Sequence, residues 1–401
     1  MMKKIFEERC KKYPLDAKYI SILAKGLGLN KADEYKLYSV MGREELIDNL
    51  SRTTYRDFVH ECYLHDNYFR MNLHMHSVFS DGSLSIENYL EKGKIYADLT
   101  AREVDDLDRI PALTLALTDH DEVGGIKSLL NLLIENPEKY KNLRIVLGCE
   151  FSFAYRSDEM FTHPFSFEIL CYGVNPFDKE IVNQLSKIKK SREEVLDKMI
   201  FELSKKFQYI TFDKEEARLS SRNLLKFQGV NTNFGTLRYA MKKVGYPECY
   251  DEIYEICFKT FHMKKDEKNK LYNEVEDIFN LKTDYTLFGL PHPAKMEIKS
   301  KLLRQDFIND CNCKSLNPAM EATWKVMEDL YTQGIEFLEA FYQSYDGDVK
   351  EAQNRIMPHC NNYHPNSDTE AWLLHFYNFV NHHNLVKTGS CDTHGHEIYK
   401  K

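Results

Sequence analysis

The segment His74-Met75-His76-Ser77-Val78-Phe79-Ser80-Asp81-Gly82 sets three candidate metal ligands, His74, His76 and Asp81, within eight residues, directly after a short apolar run. On a strand, histidines at i and i+2 project to the same face because side chains alternate with period two. Asp81 follows five residues after His76, where Ser80, Gly82 and Ser83 mark a turn. Imidazole and carboxylate donors so arranged suit a hard or borderline divalent cation at the mouth of a sheet or barrel. A His-x-His pair alone is a weak signal, but matching pieces recur. They are Thr118-Asp119-His120-Asp121, Gly148-Cys149-Glu150, Glu168, Pro291-His292-Pro293, Glu339 and Ser390-Cys391-Asp392-Thr393-His394-Gly395. Each has a bland alternative: Asp119 and Asp121 as helix caps, Glu150 as a surface charge, His292 as a loop residue before proline. Their joint placement outweighs those alternatives.

The elements that must position these residues read as βα units from residue 71 onward, with short apolar runs separated by helical stretches. Seven candidate strands stand out: Met71–His76, Ala112–Thr118, Arg144–Phe151, Phe167–Val174, Tyr285–Leu290, Gly334–Phe341 and Leu385–Gly389. A histidine or carboxylate lies in or at the end of each, as on the catalytic rim of a barrel enzyme. About 110 mostly helical, lysine-rich residues separate the fourth strand from the fifth, too many for a loop. They read as an inserted helical subdomain over 190–284, with Ser191-Arg192-Glu193-Glu194 as a cap-like start. The barrel then takes 69–189 and 285–401, and residues 1–68 form a helical N-terminal extension. Gly26-Leu27-Gly28 follows no strand and reads as an inter-helix turn rather than a phosphate loop. A polar stretch over 343–384 carries an exposed turn at Asn361–Asp368.

Composition narrows the function classes. At 401 residues, 43% of them apolar, the chain can bury the core of one large barrel or of two to three average domains. Lys and Arg number 54 against 62 acids, a net charge of −8, so the chain is no general polyanion binder. Phosphate recognition must then be local or metal-assisted. Ten scattered cysteines make no disulfide framework, and Cys311-Asn312-Cys313 lacks a second pair at zinc-site spacing. The first residues contain no apolar signal region, and no run approaches the roughly 18 apolar residues of a membrane span. The expectation is a reduced cytoplasmic protein, off the membrane and without a stable protein partner.

Some nine nitrogen and oxygen ligands exceed what one ion needs. They suggest two or three divalent ions (Mn²⁺, Fe²⁺ or Zn²⁺) sharing a carboxylate, Glu150 or Asp392. Clustered ions activate a bridging water and stabilise both ends of an in-line displacement at phosphorus.

HxHSxxSDG, TDHD followed by glycines, GxE, HP and a final D-x-H resemble the PHP (polymerase and histidinol phosphatase) superfamily of metal-dependent phosphoesterases, over about residues 71–395. The resemblance implies an α/β fold, a distorted seven-stranded (β/α) barrel. It implies one metal on His74, His76, Glu150 and Asp392, a second on Glu150 and His292, and a third on Asp81, His120 and His394. Asp81, His120 and Glu339 become the catalytic candidates, with Glu339 behind the ligands, and Arg192 the contact to substrate phosphate. Glu168 stands where the family usually has a histidine, so either Glu168 substitutes as a carboxylate ligand, the nearby His163 serves instead, or the second site is weak or empty. The expected substrate is a small phosphate ester: a nucleotide, a nucleoside bisphosphate or a short nucleic-acid end. A histidinol-phosphate-type phosphatase and a catalytically weak regulatory barrel are the alternatives.

Overall fold

The computed structural model describes residues 7–8, 10–41, 71–80, 82, 84–103, 113–162, 164–206, 272–292, 302–342, 375–376 and 378–390. Its strands are β1 (Met71–Asn72), β2 (Leu113–Leu117), β3 (Leu143–Tyr155), β4 (Phe165–Tyr172), β5 (Leu287–Leu290), β6 (Phe337–Tyr342) and β7 (Val386–Ser390). They pair in chain order in one sheet. The first and last strands approach each other, so the sheet curls. This mixed α/β architecture is consistent with a PHP-type barrel.

The pairing departs from a uniform run of βα units. β4 lies antiparallel to both β3 and β5, while every other neighbouring pair is parallel. The short connection over 156–164 explains it, because a parallel crossover needs a dozen or more residues and an antiparallel return does not.

Alternation along the strands builds two apolar layers. On β3, Ile145, Leu147, Cys149, Phe151 and Phe153 join the outer core beneath the helices. Val146 faces the other way, into an interior cluster with Leu73, Ala116, Leu170, Tyr172 and Phe337, and Leu287 and Val386 pack on it. Every strand, or the residue just after it, contributes to that interior cluster, which fills the concave side of the sheet. The Tyr172 and Phe337 rings stack within it at 4.7 Å. The Tyr172 hydroxyl donates across it to the Leu73 carbonyl at 2.8 Å.

The helices are α1 (Pro14–Gly26), α2 (Lys31–Val40), α3 (Ile86–Glu103), α4 (Gly124–Glu135), α5 (Lys179–Lys206), α6 (Val275–Phe279), α7 (Gln305–Cys313) and α8 (Pro318–Gln333). α4 shows why they cover the sheet: it buries Ile126, Leu129, Leu130 and Leu133, the i, i+3, i+4, i+7 stripe of an amphipathic helix. α1 and α2 meet at Gly28, whose φ of +68° suits glycine, so this segment is the expected turn. Both helices enter the outer core. Leu23 and Leu37 are fully buried, each burial stabilising by roughly 1.5–3 kcal/mol. Tyr19 donates its hydroxyl to the Val174 carbonyl at 2.5 Å.

α5 runs unbroken through Ser191, so the cap-like Ser-Arg-Glu-Glu segment is helix interior and not a helix start. Apolar anchors at Ile181, Leu185 and Ile188 keep its first half on the core and carry the helix past that point. Residues 207–271 of the expected insert and 343–374, with the Asn361–Asp368 turn, lie outside the described residues. Among the described helices none is long and apolar enough to cross a membrane.

Candidate metal centre

His74 and His76 lie just beyond β1, which is shorter than expected and ends at Asn72. Alternation still decides their direction. Met75 exchanges two hydrogen bonds with Thr118, its N–H to Thr118 Oγ1 at 3.0 Å and its carbonyl from the Thr118 N–H at 2.9 Å. Its side chain is buried in the outer core. The flanking histidines therefore both face the concave side, where both are buried.

Glu150 faces the same side, two positions beyond Gly148 and four beyond Val146. It sits inside β3 rather than at its end, because β3 continues to Tyr155. Its Oε2 lies 3.0 Å from His74 Nε2, 3.2 Å from His76 Nε2 and 3.0 Å from His120 Nδ1. Its Oε1 lies 3.2 Å from His292 Nε2. Two groups of three donors result, His74–Glu150–His292 and His76–His120–Glu150, joined at the one carboxylate. His120 stands beside His76, ring on ring at 4.4 Å; Asp81 and His394, with which the resemblance groups it, lie outside the described residues.

The donor set fits divalent ions. Oε2 of Glu150 is fully buried, yet none of the three nearby ring nitrogens is aligned to hydrogen-bond to it. The His74 and His76 Nε2 atoms also lie 3.1 Å from each other, so ring nitrogens and carboxylate oxygen crowd one small volume, as ligands of a shared cation do. Burial by itself would push the Glu150 carboxyl up. The His120 and His74 imidazoles and the His292 hydrogen bond overcome that and hold it well below the usual carboxylate range. An ionised carboxylate this deep costs several kcal/mol in lost hydration unless positive charge compensates it.

Behind the ligands stands Glu339 of β6, fully buried. Its Oε2 accepts the His292 backbone N–H at 2.6 Å, and its Oε1 lies 3.5 Å from His74 Nδ1. Glu339 thus brings negative charge to the far side of His74 and a hydrogen-bond acceptor to the His292 backbone. Its backbone bond also holds His292 at φ +27°, a conformation side chains rarely adopt.

Asp119 and Asp121, weighed as helix caps, cap nothing; Glu122 Oε1 accepts the Val123 and Gly124 N–H groups at the start of α4. Buried Asp119 instead accepts the Ser77 N–H, the Ser77 hydroxyl and the Ser80 hydroxyl, each at 2.7 Å, and so pins the loop after His76. Gly82 closes that loop, and a Cβ there would meet the His76 carbonyl oxygen at 2.1 Å. Asp121, at φ +45°, receives Arg192 of α5 at 2.6 Å and the Asn273 amide at 2.9 Å. Asn273 also donates to the Ser152 carbonyl and accepts from Gln184. Asn273 carried no sequence signal beyond its type; Ser77 and Ser80 stood in the HxHSxxSDG motif, with nothing there to show that they bind Asp119.

Glu168 is half-buried on β4 opposite Ser152, on the same sheet face as Glu150 and one position further along. It is in neither three-donor group. Asp81, His163, Asp392 and His394 lie outside the described residues. Cys311 of the weighed CxC pair is buried and Cys313 exposed, and both are free thiols.

The sequence matches no protein-family model and no curated protein. Solved structures similar in fold include a protein provisionally named a metal-dependent phosphoesterase from Bifidobacterium adolescentis. The two are 16% identical, with 81% of this chain and 87% of that one covered at a TM-score of 0.47. An amidohydrolase from Chromobacterium violaceum, with bound sulfate and no metal, matches at 16% identity over 82% and 88% with a TM-score of 0.46. A two-domain Bacteroides vulgatus protein with a PHP-like metal-dependent phosphoesterase predicted within it matches at 12% identity over 81% and 52%, TM-score 0.27. At such modest similarity the chemistry of this chain is read from its own buried histidine and glutamate groups.

Proposed function

We propose that this protein is a metal-dependent phosphoesterase acting on a small phosphate ester: a nucleotide, a nucleoside bisphosphate or an oligonucleotide end. One observation carries the reading: the Glu150 carboxylate is shared by four imidazoles, a donor set for two neighbouring divalent ions. Ions bound there would supply an activated water for in-line attack on phosphorus and neutralise the phosphoryl oxygens.

The chain's own residues do the rest. Glu339 sets its charge behind His74 and holds the His292 backbone, so the donors need little rearrangement on binding. Asp119 keeps the loop after His76 in place, and buried side chains around the ligands keep bulk water out. Arg192, part-buried and held by Asp121 next to His120, puts a planar guanidinium beside the centre. That fork suits two oxygens of one phosphate. Asp81, Asp392 and His394 would complete the shells as the sequence resemblance implies.

The test is metal analysis followed by phosphate release from nucleotides, bisphosphates, oligonucleotides, histidinol phosphate and sugar phosphates with added Mn²⁺. Turnover that disappears in His74→Ala is expected. Absence of release with every metal and substrate, the protein still binding ions, would leave a binding barrel instead of an enzyme.

A further inference from the structure

Far from Glu150 in sequence, α8 and the helical residues 378–383 bring a second set of donors together: Glu328, His382 and His383, with one ligand atom of each within 4.8 Å of the others. Among the described residues no other three-donor group lies outside the Glu150 centre. We propose that these three residues form a separate surface site for a borderline divalent cation such as Zn²⁺ or Co²⁺, for which imidazole and carboxylate are the natural donors.

The site is built rather than merely crowded. His383 Nε2 lies 2.9 Å from Glu328 Oε1, close to the 3.0–3.2 Å separating the imidazoles from Glu150. Trp324 Nε1 donates to the same oxygen at 3.0 Å and sets the carboxylate plane, the task Glu339 performs for the buried ligands. Glu328 Oε2 is left for a cation. The His383 ring is immobilised between Tyr331 at 4.0 Å and Phe379 at 4.6 Å, and its side chain is only 10% exposed. The backbone beneath it is fixed as well. Asn384 takes the left-handed conformation, φ +52°, and the Leu385 N–H returns to the Val380 carbonyl at 3.0 Å, a helix C-terminal cap. His382 is exposed, its ring edge-on to His383 at 4.7 Å, within reach of an ion held by the other two. Water fills the remaining positions. Such an ion would tie α8 to the helix that leads into β7.

The experiment uses the full chain and Co²⁺ as probe, read by the visible absorption of the bound ion and by quenching of tryptophan emission. Because His382 is exposed, His382→Ala leaves the fold intact. Wild type is expected to bind one equivalent more than His382→Ala or Glu328→Gln, and both variants are expected to keep the wild-type rate of phosphate release. The second phase is also expected to raise the melting temperature in wild type and not in His382→Ala. Equal stoichiometry and equal quenching in all three proteins would reduce the cluster to an ordinary surface ion pair. Loss of turnover in His382→Ala would also overturn the separation from the Glu150 centre, whereas failure of turnover in wild type bears only on the proposed activity.

Discussion

Glu150 and Glu328 are both glutamates that meet histidines at about 3 Å, yet they occupy opposite kinds of surroundings. Glu150 is fully buried, faces four imidazoles and has Glu339 behind them. Glu328 is about a third exposed and faces two imidazoles, one of them in solvent. Desolvation separates the two. At Glu150 the lost hydration must be offset by positive charge or hydrogen bonds, and the surrounding core holds the four imidazoles against it. At Glu328 water competes, so binding is weaker, and its effect is on stability rather than turnover. The same residue types thus make a fully buried donor cluster in one place and a partly exposed one in the other, and what differs is how much of the geometry the core has already fixed.

Four substitutions sharpen that contrast, beginning with the largest effect. Glu150→Gln, nearly isosteric, removes the shared charge; phosphate release should fall to background and the buried ions should be missing by elemental analysis, the Co²⁺ signal of the surface cluster remaining. Retention of the buried metals would mean that Glu150 is not their common ligand. Glu339→Gln leaves every ligand but loosens their support, so metal affinity should weaken about 10–100-fold, measured by competition with a chelator. Arg192→Ala should raise KM about tenfold, about 1.4 kcal/mol of binding, with metal content unchanged; a pure kcat effect would take Arg192 away from the substrate. Ser80→Ala removes one of three hydrogen bonds on Asp119 and should cost ~1 kcal/mol in denaturant unfolding while His74 and His76 keep their metals. If it instead costs as much metal affinity as Glu339→Gln, the loop and not the carboxylate is the main support.

That several of the candidate residues would share one face was legible from strand alternation and residue type. His74, His76, His120, Glu150 and His292 meet at one carboxylate although they are spread over more than 200 residues. Their grouping was not legible. Whether His120 stands with His76 depends on how far each strand end reaches past the sheet, and β1 stops two residues before His74. The reversed β4 was also missed, since an apolar run carries no sign of its direction; only the short link over 156–164 hinted at it. Asp119 and Asp121 looked like caps because capping and loop-pinning use the same side chains, and only the folded chain shows which N–H groups they meet. Asn273 was beyond reach, because an amide that matters through three hydrogen bonds looks no different from one in water.

The unbroken α5 has a mechanical side. At 28 residues it is a rod of about 42 Å, and Arg192, its fourteenth residue, is fastened to Asp121 near the midpoint. One arm, through Ile188, is sunk in the core; the other carries exposed Asp197, Lys198, Phe201 and Lys205. A stiff rod clamped on one side and pinned at its middle turns about the pin, and this pin is attached to the residue that follows His120. Load on the outer arm would therefore reach the histidine cluster first as torque at the Arg192–Asp121 pair.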